Sequence, residues 1–561
     1  MSRPIADSRS KKEEDAHMSL RLLRLLGLML VLLSFGAAGC ATEEVAPVEP
    51  TEVAAPTEPP AAPEPAGNVA EGGSVSLRML FGDWDTLDPH KTRVISGYQI
   101  ALALYDRLVS VDAAGNVVPA LAESWTLSAD SISLVLKSDV TCADGTPLTA
   151  SAVATSLERM GAPETEAPYT YRTIGKAGYS VTADDAARTV SIELNAPHSD
   201  LLLGLAMPWA SIVCPAGLED PESMTTAASG SGPYTLEESV RGDSYTLVAR
   251  TDYEWGPDYA SPWEERPESI ILRVVDNDTT AANMLLGGEL NIAAILGRDV
   301  ERVAADSSLF NLVSLGVGSN GLVFNQAEGR ITQDPAVRHA LMLAVDAEAW
   351  NQAETAGTGR AMTTLYTPNM FCFDPDNGNA VPGYDPAEAR RVLEEAGWTA
   401  NAEGVYEKDG QPLEVYIVGY EDQLAGNEYL LEAYTAVGVA ATMDQLEWNT
   451  WIEQIFTAND WDVNVQPYGS VMPSPSIYAG QVGEGNFAGF HNAKYIEYSD
   501  AAFASDTLEE ACNNWLVAES ALFEAFDVKP TNVPTYNWFG NNVEFGMLGV
   551  VVDPLTIRTG N

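Results

Sequence analysis

Apolar and polar positions alternate at two periods along this chain, and the changes of period mark its elements. From Gly73 the string SVSLRMLF alternates with period two and predicts a strand. QIALALYDRLV follows with helical spacing, placing Ile100, Leu104, Tyr105 and Leu108 on one face. Between about 110 and 230, short alternating strands (SISLVLK, TVSIELN) flank one helix, ASAVATSLERM, with Thr149 as its N-cap. Strands resume in PYTLEESV and SYTLVART. Asp334 and Pro335 then open a helix striped by Val337, Ala340, Leu341, Ala344 and Val345. DPAEARRVLEEAGW repeats the device, with Asp385 as N-cap, Glu388 completing a capping box and Gly397 closing the helix. LEVYIVGY, a helix around Leu431 and VAATMDQLEW give a β-α-β order, so this part is α/β. No repeat of period 20–50 is visible.

The first residues follow a different logic. Arg21 and Arg24 flank an apolar run from Leu25 to Phe35 that ends in Ala37, Ala38, Gly39 and Cys40. The run is shorter than the roughly 20 residues of a comfortable membrane span. Small residues before a lone cysteine resemble the lipobox of bacterial lipoproteins, which implies residues 1–39 as a signal segment and lipidation at Cys40. Residues 40–72 are made largely of Pro, Glu, Ala and Thr, which cannot bury a core and predict an extended stalk. The expected location is extracytoplasmic, with a lipid anchor on the outer face of the cell membrane.

At 561 residues the chain calls for several domains, and 46% apolar content supplies their cores. Thirty basic against eighty acidic residues give a net charge of −50, which excludes nucleic acid as a partner because phosphate binding needs clustered Lys and Arg. Beyond Cys40 the cysteines are Cys142, Cys214, Cys372 and Cys512, which two disulfides in any of three pairings, or four free thiols, would satisfy. Catalytic signatures are missing: there is no G-x-S-x-G elbow, H-E-x-x-H or phosphate loop. GSGPY at 230–234 leads into a strand rather than a helix, so it is no phosphate cradle. The histidines His90, His198, His339 and His491 are scattered, and neither a metal, a cofactor nor catalysis is expected.

Six strings then occur in a fixed order: LDPHK, YDRLVSVDAAGNVVPALAESWTLSAD, DGTPLTASAV, GSGPYTL, LVFNQAEGRITQDPAVRHALMLAVD and YDPAEARRVLEEAGW. Together they resemble the solute-binding proteins of peptide and nickel ABC importers, extracytoplasmic family 5. The resemblance implies an α/β, periplasmic-binding-protein-like type II fold, with two hinged lobes and an extra small domain. It assigns residues 73–109, 231–318 and 539–561 to lobe I, 110–230 to the extra domain and 319–538 to lobe II. Crossings are expected near Gly318–Asn325 and near Trp538–Gly540, with Asn325 and Phe539 at the hinge.

The same resemblance implies the binding residues. Trp448, Tyr468 and Trp538 fall at aromatic cleft positions, and Ser470 and Met472 flank Val471. Val471 stands where peptide-binding relatives carry the Asp that neutralises the peptide ammonium, and Ile455 and Val465 stand where two carboxylate-receiving arginines would be. The nearest acids are Glu447 and Asp462. The chain is therefore expected not to hold free peptides by their termini. Arg93, Ile95, Ser96 and Tyr98 match a loop that lines the cleft, with Arg93 as its cation. The implied protein is a monomer that delivers a peptide-like or other amphipathic solute to ABC permease subunits. A ligand-sensing lipoprotein that signals to a membrane partner is the alternative.

Overall fold

Strand Ser74–Arg78 lies at the centre of a seven-stranded sheet. The order is Phe310–Leu315, Thr535–Gly540, Ile292–Ile295, Ser74–Arg78, Ser269–Arg273, Ser244–Ala249 and Tyr234–Val240. The central strand pairs in parallel with both neighbours, Ser269–Arg273 and Ile292–Ile295, and the outer pairings are antiparallel. Val75 and Leu77, the inward residues of the predicted strand, are buried in the core. The computed structural model of the chain describes residues 73–316, 318–420, 423–467 and 486–559. All of them belong to one compact unit, Pro65–Asn561. The signal segment, the stalk and Cys40 lie outside the described residues.

A second, five-stranded sheet runs Ala440–Leu446, Glu414–Tyr420, Val463–Pro467, Asn320–Phe324 and Val528–Pro530. The expected β-α-β unit is here: Glu414–Tyr420 and Ala440–Leu446 pair in parallel, joined by the helix Leu424–Ala436. Asp334 and Asp385 cap the helices Pro335–Leu343 and Pro386–Glu395 as the sequence indicates. Glu388 does not close a capping box, because its carboxylate pairs with Arg391 instead. A four-stranded antiparallel sheet, Ala122–Ser128, Ser131–Leu136, Thr189–Leu194 and Tyr179–Asp184, forms the small domain with the helix Ala150–Gly161.

The small domain is welded to the seven-stranded lobe by buried polar groups. Asp106 accepts from Ser231 Oγ, Tyr253 OH and Trp255 Nε1 at 2.8–2.9 Å, and burial pushes its carboxyl upward. Asp88 of the LDPHK string receives both terminal nitrogens of Arg159 from the small domain. Arg159 also donates to His90 Nδ1, whose Nε2 donates to Ser211 O, and burial brings the imidazole down to about 4. His90 is therefore a neutral packing residue. The glycines of GSGPY serve close approach: a Cβ on Gly232 would lie 2.4 Å from the carbonyl carbon of Leu104, and one on Gly230 would lie 2.3 Å from Leu104 O. Disulfides join Cys142 to Cys214 and Cys372 to Cys512, one of the three pairings left open by the sequence.

The chain passes from the seven-stranded to the five-stranded sheet between Leu315 and Asn320, and returns through Pro534. These crossings touch: Gly316 N donates to Pro534 O at 2.8 Å. Two short, hydrogen-bonded connections between separately packed lobes are the anatomy of a hinge. The two expected hinge residues lie inside the lobes instead. Asn325 follows strand Asn320–Phe324, where its amide bonds Asn459 Oδ1 and Trp461 O and fixes backbone. Phe539 is paired within the seven-stranded sheet, opposite Ala293 and Asn311, and fully buried.

Candidate functional site

Where the seven-stranded lobe meets the small domain, three aromatic rings from distant parts of the chain converge. Tyr98 lies 6.1 Å from Tyr169 and 6.0 Å from Trp209, and the latter two are 5.6 Å apart, all in tilted or edge arrangements. Two of the polar ends are already engaged: Tyr98 OH donates to Thr92 O, and Trp209 Nε1 donates to Thr173 Oγ1. All three residues are half-buried, and their rings offer apolar surface. Burial and the neighbouring Tyr169 raise the Tyr98 phenol well above its ordinary value.

Tyr98 reaches this position because the helix there begins earlier than its apolar stripe suggests. It spans Ile95–Leu104, so Ile95, Ser96 and Tyr98 sit in its first turn rather than in a loop. Eight of its ten residues are buried, so no polar face marks its start in the sequence. Ser96 is buried and donates to Asp83 O, a structural bond, while Ile95 is half-buried. The segment before the helix is held by Asp85, which accepts from Thr92 Oγ1 and from Arg93 N. The Arg93 side chain is exposed, without a carboxylate partner among the described residues.

Sequence reasoning missed Tyr169, Trp209 and Arg172. Arg172 belongs to the short helix Thr170–Ile174 and is 8% exposed. Its guanidinium carbon lies 5.1 Å from the Tyr169 ring centroid and 6.0 Å from that of Tyr171. The string PYTYR does carry aromatic and basic residues side by side. Only the fold shows that Tyr98 and Trp209 join them. The lobe built on the five-stranded sheet meets the small domain close by: His198 of the small domain donates through Nε2 to Arg172 O and stacks on Phe503 of that lobe. Phe371 also packs against the small-domain core.

Of the remaining expected residues, Tyr468, Ser470, Val471 and Met472 lie outside the described residues. Trp448 opens the helix Trp448–Glu453, and its side chain is likewise outside them. Ile455 and Val465 are fully buried. Glu447 caps the helix at Thr450 N, and Asp462 is buried, accepting from Tyr416 N. Trp538 is fully buried in the seven-stranded lobe, with Phe545 edge-on at 6.3 Å, and does not join the aromatic junction in this structure. Among the described residues, no three His, Cys, Asp or Glu side chains gather as a metal site.

Two lobes on a double crossing, and a third domain fused to one of them with an aromatic junction where they join, define a two-lobed, cleft-type binding protein. The profile of bacterial extracellular solute-binding proteins, family 5 (middle), matches residues 116–489. The chain belongs to that family. It is similar to the nickel-binding periplasmic protein of Escherichia coli K12, 28% identical over 326 residues, which are 56% of this chain and 59% of that protein. The match to the first relatives thus spans about three fifths of their length. The periplasmic murein peptide-binding protein MppA of the same organism is 23% identical over 505 residues, 84% of this chain and 89% of its own. Among solved structures, a substrate-binding protein from Microbacterium hydrocarbonoxydans complexed with 4-hydroxybenzoate hydrazide superposes with a TM-score of 0.68 at 28% identity. That superposition covers 87% of this chain and all of the other. CtaP from Listeria monocytogenes, at 18% identity, gives 0.73 over 88% of this chain and all of its own. The fold is the type II periplasmic-binding-protein fold.

Proposed function

We propose that this chain is the substrate-binding component of an ABC importer. It captures a small amphipathic solute in the interlobe cleft and presents the closed form to permease subunits. The observation that carries this reading is the aromatic junction of Tyr98, Tyr169 and Trp209, near the seam where His198 of the small domain stacks on Phe503 of the five-stranded lobe. These rings lie on one side of the hinge, so a solute that stacks there and also touches the facing lobe binds the closed form better than the open one, which is the requirement for driving closure. The bound aromatic hydrazide of the Microbacterium protein is in keeping with a ring-stacking ligand. In the same reading the folded part hangs from the membrane by a lipid on Cys40.

Native mass spectrometry of the purified chain identifies the solute, and uptake by cells lacking the chain but retaining the permease tests the role. Uptake of that solute is expected to be lost; undiminished uptake overturns the proposal. A Cys40→Ala chain is expected to leave the membrane fraction, and its retention there would overturn the tether.

A further inference from the structure

Arg172 is a permanently charged side chain buried in a protein that has carboxylates to spare, yet none pairs with it among the described residues. Its Nε meets Tyr171 OH at 3.4 Å, and no ion pair or other hydrogen bond from its side chain occurs among the described residues. Burying a charge without a counter-charge is costly, and a guanidinium cannot shed its proton to escape the cost. The aromatic contacts compensate only its faces. Tyr169 and Tyr171 lie within cation–π range, which leaves the edge that carries the two terminal nitrogens. That edge is the fork that matches a carboxylate bidentately. The backbone at this position is also fixed, since His198 Nε2 lies 3.1 Å from Arg172 O. Beside it stand the open ring surfaces of Tyr98 and Trp209.

We propose that Arg172 receives a carboxylate of the captured solute, and that the solute is a planar aromatic acid whose ring lies against Tyr98, Tyr169 and Trp209. This rests on the reading that the cleft captures a small solute, and it adds the substrate class. A peptide held by its termini needs an acid for the ammonium as well as a cation for the carboxylate. The junction supplies the cation and ring surfaces, which suit an acid with an aromatic body.

Isothermal titration of the full chain with 4-hydroxybenzoate, phenylacetate and indole-3-acetate, each beside its neutral amide, tests the assignment. At least one acid is expected to bind ten-fold or more tighter than its amide. Arg172→Gln is expected to erase that preference while leaving the amide affinity within about twofold, and Arg172→Lys, which keeps the charge but loses the fork, to restore part of it. Equal binding of acid and amide, or a preference that survives in Arg172→Gln, overturns the proposal. If native mass spectrometry finds only a neutral solute, the substrate class falls while solute capture stands. If no probe binds and nothing co-purifies, both fall.

Discussion

The imidazole of His198 stacks on the ring of Phe503, centroids 5.2 Å apart and planes 16° from parallel. The two residues belong to different bodies, the small domain and the lobe of the five-stranded sheet. Ser199 N donates to Phe503 O at 3.2 Å beside them, and Ala129 N approaches Asp506 Oδ1 at 3.3 Å. Leu127, Leu202 and Leu508 line a small crevice along the same seam. Because the small domain is fused to the seven-stranded lobe, this seam must part whenever the lobes open.

Phe503→Leu keeps apolar bulk but removes the stack, a contact worth about 1 kcal/mol. That shifts the ratio of closed to open chains by about fivefold. The ligand-free chain should show a larger radius of gyration by small-angle X-ray scattering, and bound solute should restore the smaller value. An unchanged radius in the ligand-free variant would show that the stack does not hold the lobes together.

Trp538 offers a sharp separation of core from cleft. It is fully buried, opposite Ala294 and Leu312 in the sheet, and its indole N–H has no hydrogen-bond partner among the described residues. Trp538→Phe removes volume but also relieves an unsatisfied donor, so a net loss of about 1–2 kcal/mol is expected in urea unfolding. Solute affinity should stay within about twofold of the parent. A ten-fold loss of affinity at unchanged stability would instead place this residue against the solute.

Much of the fold was legible because turn and cap chemistry is local. Thr149, Asp334 and Asp385 each accept a backbone N–H at the start of the predicted helix. The helix Ile95–Leu104 was misplaced because it is buried almost all round, and periodicity detects only helices with one wet face. The sequence places the crossings too far along the chain for a related reason: Asn325 directly follows one apolar strand and Phe539 lies within another, and only the contact of Gly316 with Pro534 marks the passage. The candidate site was less legible still. Tyr98 was within reach of local reasoning, but Trp209 and Arg172 become its neighbours only through the small domain's packing.

The bond between Cys372 and Cys512 closes a sequence separation of 140 residues and pins the segment after Thr367 to the helix Leu508–Glu524. That segment also steadies the hinge: Asn369 Nδ2 donates to Leu315 O, and Ser319 N to Leu365 O. Replacing both cysteines by serine should cost about 2–4 kcal/mol of unfolding free energy, chiefly through a less constrained unfolded chain. Thermal unfolding should show the same lowered midpoint for the parent under reductant, once the Cys142–Cys214 contribution is subtracted with its own serine pair. Equal midpoints for the parent and the Cys372/Cys512 double variant would rule the contribution out.

Glu519 couples the same segment to pH. Its Oε1 accepts from Leu365 N at 2.7 Å and Tyr366 N at 3.2 Å, Oε2 accepts from Asn377 Nδ2, and no cation pairs with it among the described residues. Burial, opposed in part by these hydrogen bonds, pushes its carboxyl up from 4.5 to about 7. The folded state therefore holds the proton more tightly than the unfolded one. The stabilising effect is complete below about pH 4.5, is lost as pH rises through 7, and amounts to something on the order of 3 kcal/mol. Glu519→Gln keeps an oxygen for the Leu365 and Tyr366 amides without an ionisation. Asp106, Asp462 and Asp527 are shifted upward as well, so the whole chain's pH profile is shared among several groups. The difference between parent and variant isolates Glu519: in urea unfolding the variant should gain on the parent between pH 5 and pH 8. A difference that does not change across that interval would show that Glu519 does not titrate there.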